Sequence, residues 1–406
     1  MRICLLLLIG ALIFASGCTG GGVHSDKNNG LAANSFAAEP SVAEATDNVR
    51  FYLDIENVGG TTATCITSQL YGVDGWYDAL TGEPIASPPA VLIPQKGITF
   101  NIFNGGVDFC YYDITKASQI CASYRKDQGV SLSAFLGDSF LAYTNQFCSG
   151  ANSFANQVDS SDRLLRFQPS LTPPLPERNK AGQGWNVEWV LRPPLLPEGL
   201  KVEYPVTART EYFYQSNAQT VIRAFNKAEF KTRQITGDQS INPSPLQVDN
   251  VFSAPIQVAA TRGDNPMIIN QDPALGAYEY FSYTFEFQNV GNGYPLSISG
   301  ADIPGGYGPE TERGFVIAVA SINGPGAFFS NCLGQSGESI VIPPNYMSDL
   351  VKIRSDRRAP FGCQIGIDKS KWISRPLDTI TITFQIFYRY YMDQETTVTV
   401  VGPQRF

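Results

Sequence analysis

Hydrophobic and polar residues alternate with a period of two in two distant segments of the chain, 51–56 and 283–288. This alternation predicts a β-strand with one buried face. Each segment leads into the same tripeptide, at Asn57–Gly59 and at Asn289–Gly291. Because Asn and Gly adopt turn conformations that other residues resist, the pattern predicts two strands that end in equivalent turns.

A second pair of matching segments lies later in each half of the chain, where residues 212–222 align without gaps on residues 388–398. Each has a strand pattern, a polar turn and a β-branched strand pattern, which together predict a hairpin. The paired landmarks indicate two copies of one β module. We place the modules at 48–226 and 253–406, with a linker at 227–252.

The first module is longer than the second, and residues 108–179 have the character of an insert. Within it, a short amphipathic helix is predicted from Ser131 to Phe147. The insert also carries Cys110, Cys121 and Cys148. The predicted fold class is therefore all-β, with two β-sandwich modules in tandem and a cysteine-rich, partly helical insert in the first. The strands that open into Asn-Val-Gly turns resemble immunoglobulin-like and cell-adhesion-related modules of prokaryotic surfaces, and this resemblance implies an immunoglobulin-like sandwich.

Composition agrees with short strands and many turns, since aromatic residues make up 12% of the chain and there are 37 Gly and 27 Pro. The formal net charge of -8 argues against a nucleic-acid partner, which would require clustered Lys and Arg. The same charge balance provides no polybasic patch for anionic lipid. Any attachment to a membrane must therefore come from another feature.

The N-terminus supplies that feature. Arg2 precedes an apolar run at residues 4–14 of the length expected for a secretory signal. The following segment, Phe14–Cys18, resembles the lipobox of prokaryotic lipoproteins, although Ala15 stands where Leu is more usual. The resemblance implies a signal peptide at 1–17, a lipid on Cys18 and a location at the cell surface. The alternative is an ordinary signal peptide cut near Gly17.

Residues 18–47 are rich in Gly, Asn, Ala and Ser, a composition that predicts a flexible tether between the lipid and the first module. Six cysteines remain outside the signal and the anchor, and an exported protein is expected to join them in disulfides. The simplest assignment pairs Cys332 with Cys363 and leaves three possible connectivities among the other four. These six candidates are Cys65, Cys110, Cys121, Cys148, Cys332 and Cys363.

No catalytic, metal or cofactor site is predicted. The single histidine, His24, lies in the tether, so it cannot act as a positioned base or complete a zinc site. The spacing of Gly334–Gly337 is not that of a nucleophile elbow. The carboxylates that lie closest to one another in the sequence are Asp54 with Glu56, and a loop cluster at 74–83. A polar exterior explains both better than a calcium site or a glycosidase pair does.

Two tyrosine pairs are the candidate ligand-binding residues. Tyr212 and Tyr214 share one strand face, as do Tyr388 and Tyr390, and exposed pairs of this kind could stack on sugar rings or anchor a protein partner. The alternative is that they are strand aromatics that pack within the fold. The leading functional hypothesis is a non-enzymatic surface lipoprotein, adhesive or structural in the cell envelope. The second hypothesis is a lipoprotein that binds a glycan or another solute.

Overall fold

The computed structural model describes residues 27–85, 99–103, 106–113, 118–139, 164–250, 253–296, 313–343 and 351–403. These residues form 22 strands and two helices, α1 (132–139) and α2 (Lys227–Thr236). The strands, in chain order, are β1 (Leu31–Glu39), β2 (Val42–Glu44), β3 (Val49–Asn57), β4 (Ala63–Tyr71), β5 (Tyr77–Asp78), β6 (Thr99–Phe103), β7 (Gly106–Asp113), β8 (Ser118–Arg125), β9 (Leu165–Leu171), β10 (Gly184–Arg192), β11 (Lys201–Asn226), β12 (Val248–Asn250), β13 (Ile256–Arg262), β14 (Met267–Ile269), β15 (Tyr278–Asn289), β16 (Tyr294–Leu296), β17 (Ile317–Asn323), β18 (Ala327–Cys332), β19 (Gln335–Gly337), β20 (Ser339–Ile342), β21 (Arg358–Asp368) and β22 (Leu377–Val401).

The strands form four sheets. Sheet 1 has the order β1-β3-β10-β5, and sheet 2 has the order β13-β15-β21-β18-β19. A ten-stranded central sheet has the main path β20-β17-β22-β11-β4-β9, and β6-β7-β8 form a small separate sheet. Sheets 1 and 2 are equivalent in the two halves of the chain. In sheet 1 the strand that leads into the Asn-Val-Gly turn, β3, lies between β1 and β10, and in sheet 2 the corresponding strand, β15, lies between β13 and β21.

Sheets 1 and 2 each pack face to face on the central sheet. In the first module the ring of Trp76 lies 5.6 Å from Phe51 of sheet 1 and 5.8 Å from Tyr204 of the central sheet. In the second, Phe285 of sheet 2 lies 5.1 Å from Phe384 of the central sheet. The buried residues of both halves form one continuous core. The prediction of an all-β chain built as β-sandwiches is therefore confirmed.

The two predicted hairpins are wrong. Strand β11 runs straight through residues 212–222 and is 26 residues long, and β22 runs through 388–398 and is 25 residues long. They pair with each other in antiparallel register from Lys201 opposite Val401 to Phe225 opposite Leu377. The polar residues that suggest turns continue the strand instead, because each pairs in register with a residue of the neighbouring long strand. Asp393, for example, lies opposite Arg209 and accepts two hydrogen bonds from it.

The predicted tether is also too long. Strand β1 lies within it and pairs with β3 along sheet 1, and Leu31 is completely buried. The small side chains of Ala32 and Ala33 are buried as well, while the following residues, Asn34 and Ser35, are exposed. Tertiary contacts with sheet 1 therefore order a segment whose composition alone predicts flexibility.

The linker and the insert differ from their predictions in detail. Residues 227–252 contain α2, which begins at Asn226, where the side chain accepts a hydrogen bond from the Glu229 amide. In the insert, α1 follows Ser131 as predicted, and the Ser131 hydroxyl accepts from the Ala134 amide at 3.1 Å. Residues 140–147 of the predicted helix lie outside the described residues. Strand β9 pairs with β4 in the central sheet, so residues 165–171 belong to the sandwich.

Candidate functional site

The four candidate tyrosines lie side by side in the middle of the β11–β22 pair and form one cluster. Tyr212 lies opposite Tyr390, with ring centroids 5.8 Å apart, and Tyr214 lies opposite Tyr388 at 6.2 Å. None of the four is more than 1% exposed. The tyrosine cluster therefore cannot present its rings to a sugar or to a protein partner. Its members are strand aromatics that pack within the core, which was the alternative interpretation from the sequence.

The hydroxyl groups of this cluster hold the two Asn-Val-Gly turns. The Thr61 amide donates to the Tyr214 hydroxyl at 3.2 Å, and the Tyr390 hydroxyl donates to Asn289 Oδ1 at 2.9 Å. Burial raises the pKa of all four tyrosines, so they stay neutral in the folded protein. Glycine is required in both turns, since a Cβ atom would lie 2.0 Å from the Tyr214 hydroxyl at Gly59 and 2.5 Å from the Tyr390 hydroxyl at Gly291.

The N-terminal segment enters the fold at this same place. The carbonyl oxygen of Gly30 accepts hydrogen bonds from Val58 and Gly59, both at 2.9 Å, in the turn of the first module. Asn29 Oδ1 accepts from the Asn292 amide at 2.7 Å in the turn of the second module, and the Tyr212 hydroxyl donates to the Asn29 carbonyl. Residues 29–30 therefore join both modules, and we call this place the module junction. Sequence reasoning missed it because residues 18–47 had the composition of a tether.

The opposite face of the β11–β22 pair carries charged groups, of which Glu211 and Arg389 are buried. Arg209 donates to both carboxylate oxygens of Asp393, at 2.8 and 2.7 Å, and its guanidinium lies 4.5 Å from the centre of the Tyr391 ring. Burial raises the pKa of Glu211, and Arg389 and Arg209 oppose that rise. These charges are paired within the sheet, so the cluster stabilises the centre of the protein rather than forming an open reactive site.

The cysteines fall into three groups. A disulfide joins Cys332 to Cys363, the pair that the sequence analysis joined. Cys65 and Cys121 also take part in disulfides. The side chain of Cys110, together with all of Cys148 and Cys18, lies outside the described part of the chain. The connectivity among the first four cysteines and the lipidation of Cys18 therefore stay predictions.

The carboxylates singled out in the sequence have structural partners. Asn34 donates to Asp54 at 3.2 Å, and Asp78 accepts from the amides of Leu80 and Thr81, at 2.9 and 2.8 Å, to close a turn. Within the described residues, no group of three or more His, Cys, Asp or Glu side chains could hold a metal ion. The segment Gly334–Gly337 contains the last residue of the turn after β18 and the whole of β19.

An open groove of about 550 Å³ lies on the outer face of sheet 2. Ser282 and Thr284 of β15 form one wall, and the turn residues Leu333 and Gly334 form the other. Gly362 of β21 lies between them, directly opposite Thr284. Sequence reasoning missed this groove because its shape depends on three strands that are distant in sequence.

No protein family and no curated protein matches the sequence. Among solved structures, a type II cohesin dyad from an adaptor scaffoldin of Acetivibrio cellulolyticus is similar over 87% of this chain and 83% of that chain, with 8% identity and a TM-score of 0.14. The MSCRAMM ACE of Enterococcus faecalis, described as binding its ligands by the collagen hug model, is similar over 91% of this chain and 95% of that chain, with 8% identity and a TM-score of 0.12. Similarities of this size carry no argument about function. Within the described residues, no helix has the length and hydrophobicity needed to cross a lipid bilayer.

Proposed function

We propose that this protein is a non-enzymatic lipoprotein, held at the extracytoplasmic face of the membrane through Cys18, with an adhesive or structural role in the cell envelope. The observation that carries the proposal is the entry of the N-terminal segment at the module junction. A protein that is anchored by a lipid and pulled by a bound partner must transmit force from the anchor to its body. At the junction, Asn29 and Gly30 pass that force to both modules at once.

The geometry beyond the junction suits the same role. The β11–β22 pair joins the two modules along 25 residues of β22, and strands of that length form a ribbon roughly 80 Å long. Only residues 19–28 separate Cys18 from Asn29 at the module junction, and such a segment spans at most about 35 Å. An anchored body of this kind would stand close to the membrane and respond as one stiff unit. The disulfides support export to an oxidising compartment.

The anchor is tested by fractionation of cells that express the full-length chain. The wild-type protein should sediment with membranes, whereas Cys18→Ala should appear in the medium or remain as an uncleaved precursor. Cys4→Ala is the matched control, because it removes a cysteine from the signal segment and should leave the protein membrane-bound. A Cys18→Ala protein that was membrane-bound and normally processed would overturn the anchor.

The adhesive or structural role is tested in cells that lack the chain. Wild-type protein should restore cell-to-surface attachment or envelope integrity, and the released Cys18→Ala protein should not. Purified full-length protein should turn over neither glycans nor peptides. Reproducible turnover of any such substrate would replace the proposal with an enzymatic one.

A further inference from the structure

We propose that the groove on the outer face of sheet 2 is a binding site for a neutral saccharide. The inference rests on the proposed adhesive function and deepens it, because it gives the anchored body a class of ligand. It also moves recognition away from the tyrosine cluster, which is buried, to residues that solvent can reach.

The shape of the groove depends on a missing side chain. Gly362 is flanked by Thr284 on β15 and by the turn after β18, both of which rise above it. A Cβ atom built on Gly362 would meet nothing closer than the Tyr283 carbonyl oxygen, at 4.0 Å. The floor of the groove is therefore open, and a larger side chain at this position would fill it without disturbing the sheet.

The walls offer hydrogen bonds without charge. Asn331 Oδ1 accepts from the Gly334 amide at 3.0 Å, and Gln364 Oε1 accepts from the Ser330 hydroxyl at 2.9 Å. Each amide oxygen keeps a second lone pair and each amide group also has N–H donors, so these side chains can both donate to a ligand and accept from it. The hydroxyl of Ser282 faces them across the sheet, opposite Gln364. No residue that lines the groove is charged, so the matching ligand is neutral and rich in oxygen.

An aromatic surface adjoins these polar groups. Tyr280 lies opposite Gly366 on β21, and the ring of Phe328 packs over that glycine. Tyr278 packs edge-on against Phe328, with ring centroids 5.5 Å apart. Tyr278 and Tyr280 are 47% and 51% exposed. This aromatic row is one strand repeat, roughly 7 Å, from the row that contains Ser282 and Gln364. A pyranose ring has an apolar C–H face and a hydroxyl edge, so it complements an aromatic row beside a polar one.

Other ligand classes fit less well. A phosphate or carboxylate group would need a cation or a cluster of backbone donors, and the lining supplies no cation. An extended peptide that adds a strand needs a free sheet edge, whereas this groove crosses the face of β15 and β21, which both have neighbours on each side. The disulfide between Cys332 and Cys363 joins β18 to β21 next to the groove, so its walls are held in place before a ligand arrives.

The test is calorimetric titration of the full-length protein in detergent micelles. The probes are neutral oligosaccharides, namely hexaoses of β-1,4-linked glucose, β-1,4-linked N-acetylglucosamine and α-linked mannose, with an oligogalacturonate as the charged comparison. We expect saturable binding of a neutral probe and none of the oligogalacturonate. Gly362→Leu should weaken that binding about tenfold or more, because it fills the groove. Tyr280→Ala should weaken it by a similar factor, because it removes an aromatic ring beside the groove.

Asn186→Leu is the matched control, because it adds a Leu to the exposed outer face of sheet 1 and should leave affinity unchanged. Circular dichroism and thermal unfolding confirm that each variant is folded. Absence of binding by every neutral probe at millimolar concentration overturns the proposal, as does binding that survives both Gly362→Leu and Tyr280→Ala. Neither result bears on the Cys18 fractionation, so the saccharide site and the anchored role can fail separately.

Discussion

Sheet 1 and sheet 2 meet the module junction in the same way. In sheet 1 the carbonyl of Gly30 accepts hydrogen bonds from both residues of Val58–Gly59, and in sheet 2 the carbonyl of Pro255 accepts from both residues of Val290–Gly291. Tyr214 packs on the first turn and Tyr390 packs on the second. The two turns are therefore alike in residue type, hydrogen bonding and contact.

The outer faces of the same two sheets differ. Both faces carry an exposed tyrosine and an ion pair at 3.7 Å, between Arg50 and Glu188 on sheet 1 and between Arg358 and Glu286 on sheet 2. Sheet 2 differs in the groove beside its exposed tyrosines, whose lining residues are uncharged. Residues that face another sheet are restricted by close packing, whereas residues that face solvent can change at little cost to stability. The comparison therefore assigns a structural role to the shared inner positions and locates recognition on the outer face of one repeat.

The largest difference in stability between the two repeats is expected from loss of the disulfide of sheet 2. Cys363 lies opposite Tyr283 on the neighbouring strand. The equivalent position in sheet 1, opposite Phe51, holds the buried Trp189 in place of a cysteine. The double variant Cys332→Ala/Cys363→Ala opens a loop with a sequence separation of 31 and should lower the free energy of unfolding by about 3.5 kcal/mol. Denaturant titration measures the loss. Hydrogen exchange should show sheet 2 opening while sheet 1 stays protected, and equal loosening of both sheets would contradict the comparison.

The next effect tests whether the two turns are equivalent. Gly59→Ala and Gly291→Ala should each destabilise the protein by about 2–3 kcal/mol, because the added methyl group meets a tyrosine hydroxyl in both. Tyr214→Phe removes the hydroxyl that faces Gly59, so it should partly rescue Gly59→Ala and leave Gly291→Ala unchanged. Thermal unfolding of the three single and two double variants measures this. Rescue of both glycine variants, or of neither, would show that the turns are not separate copies of one contact.

The sequence predicted these turns because their signals are local. Period-two alternation at 51–56 and 283–288 and the turn chemistry of Asn and Gly depend on neighbours within a few residues. The length of β11 and β22 could not be predicted in this way, since Asp393 is polar and suggests a turn until Arg209 is placed opposite it. Strand β1 was missed for a related reason, because Ala32 and Ala33 gain their burial only from the packing of sheet 1.

The candidate site was predicted less well than the fold. Tyr212 and Tyr390 were recognised as strand aromatics, but the side of the strand that faces the core depends on the pairing of β11 with β22. The groove gives no signal in sequence, because an isolated glycine such as Gly362 marks either a bend or an opening. A site built from side chains on three strands becomes visible only when the register is known.

Single hydroxyl deletions should distinguish two members of the tyrosine cluster. Tyr390→Phe should cost about 1–2 kcal/mol, because it removes the partner of the buried Asn289 Oδ1. The Tyr388 hydroxyl is buried and makes no hydrogen bond of good geometry among the described residues, so Tyr388→Phe should leave stability unchanged or raise it slightly. Denaturant titration near neutral pH compares them. Equal losses for the two variants would contradict this difference.

The same cluster predicts an alkaline limit to stability. Burial raises the pKa of Tyr388 well above its ordinary value, so the folded state keeps a proton that the unfolded state loses first. The stability is therefore complete below about pH 10 and falls as the pH rises further. Tyr388→Phe should reduce this slope by up to about 1.4 kcal/mol per pH unit above pH 10. Unfolding titrations at increasing pH measure the slope, and an unchanged slope would show that Tyr388 titrates alike in both states.

The smallest effects on stability are expected from substitutions on the outer faces of sheets 1 and 2. Their effects on saccharide binding should still differ between the two sheets. Arg50→Ala removes an exposed ion pair from sheet 1, and Gly362→Leu adds a side chain over open space on sheet 2. Each should change the free energy of unfolding by less than about 0.5 kcal/mol. Only Gly362→Leu should weaken saccharide binding. If Gly362→Leu instead unfolded the protein, the floor of the groove would be part of the packed structure, and the outer face of sheet 2 would be restricted as tightly as the inner faces.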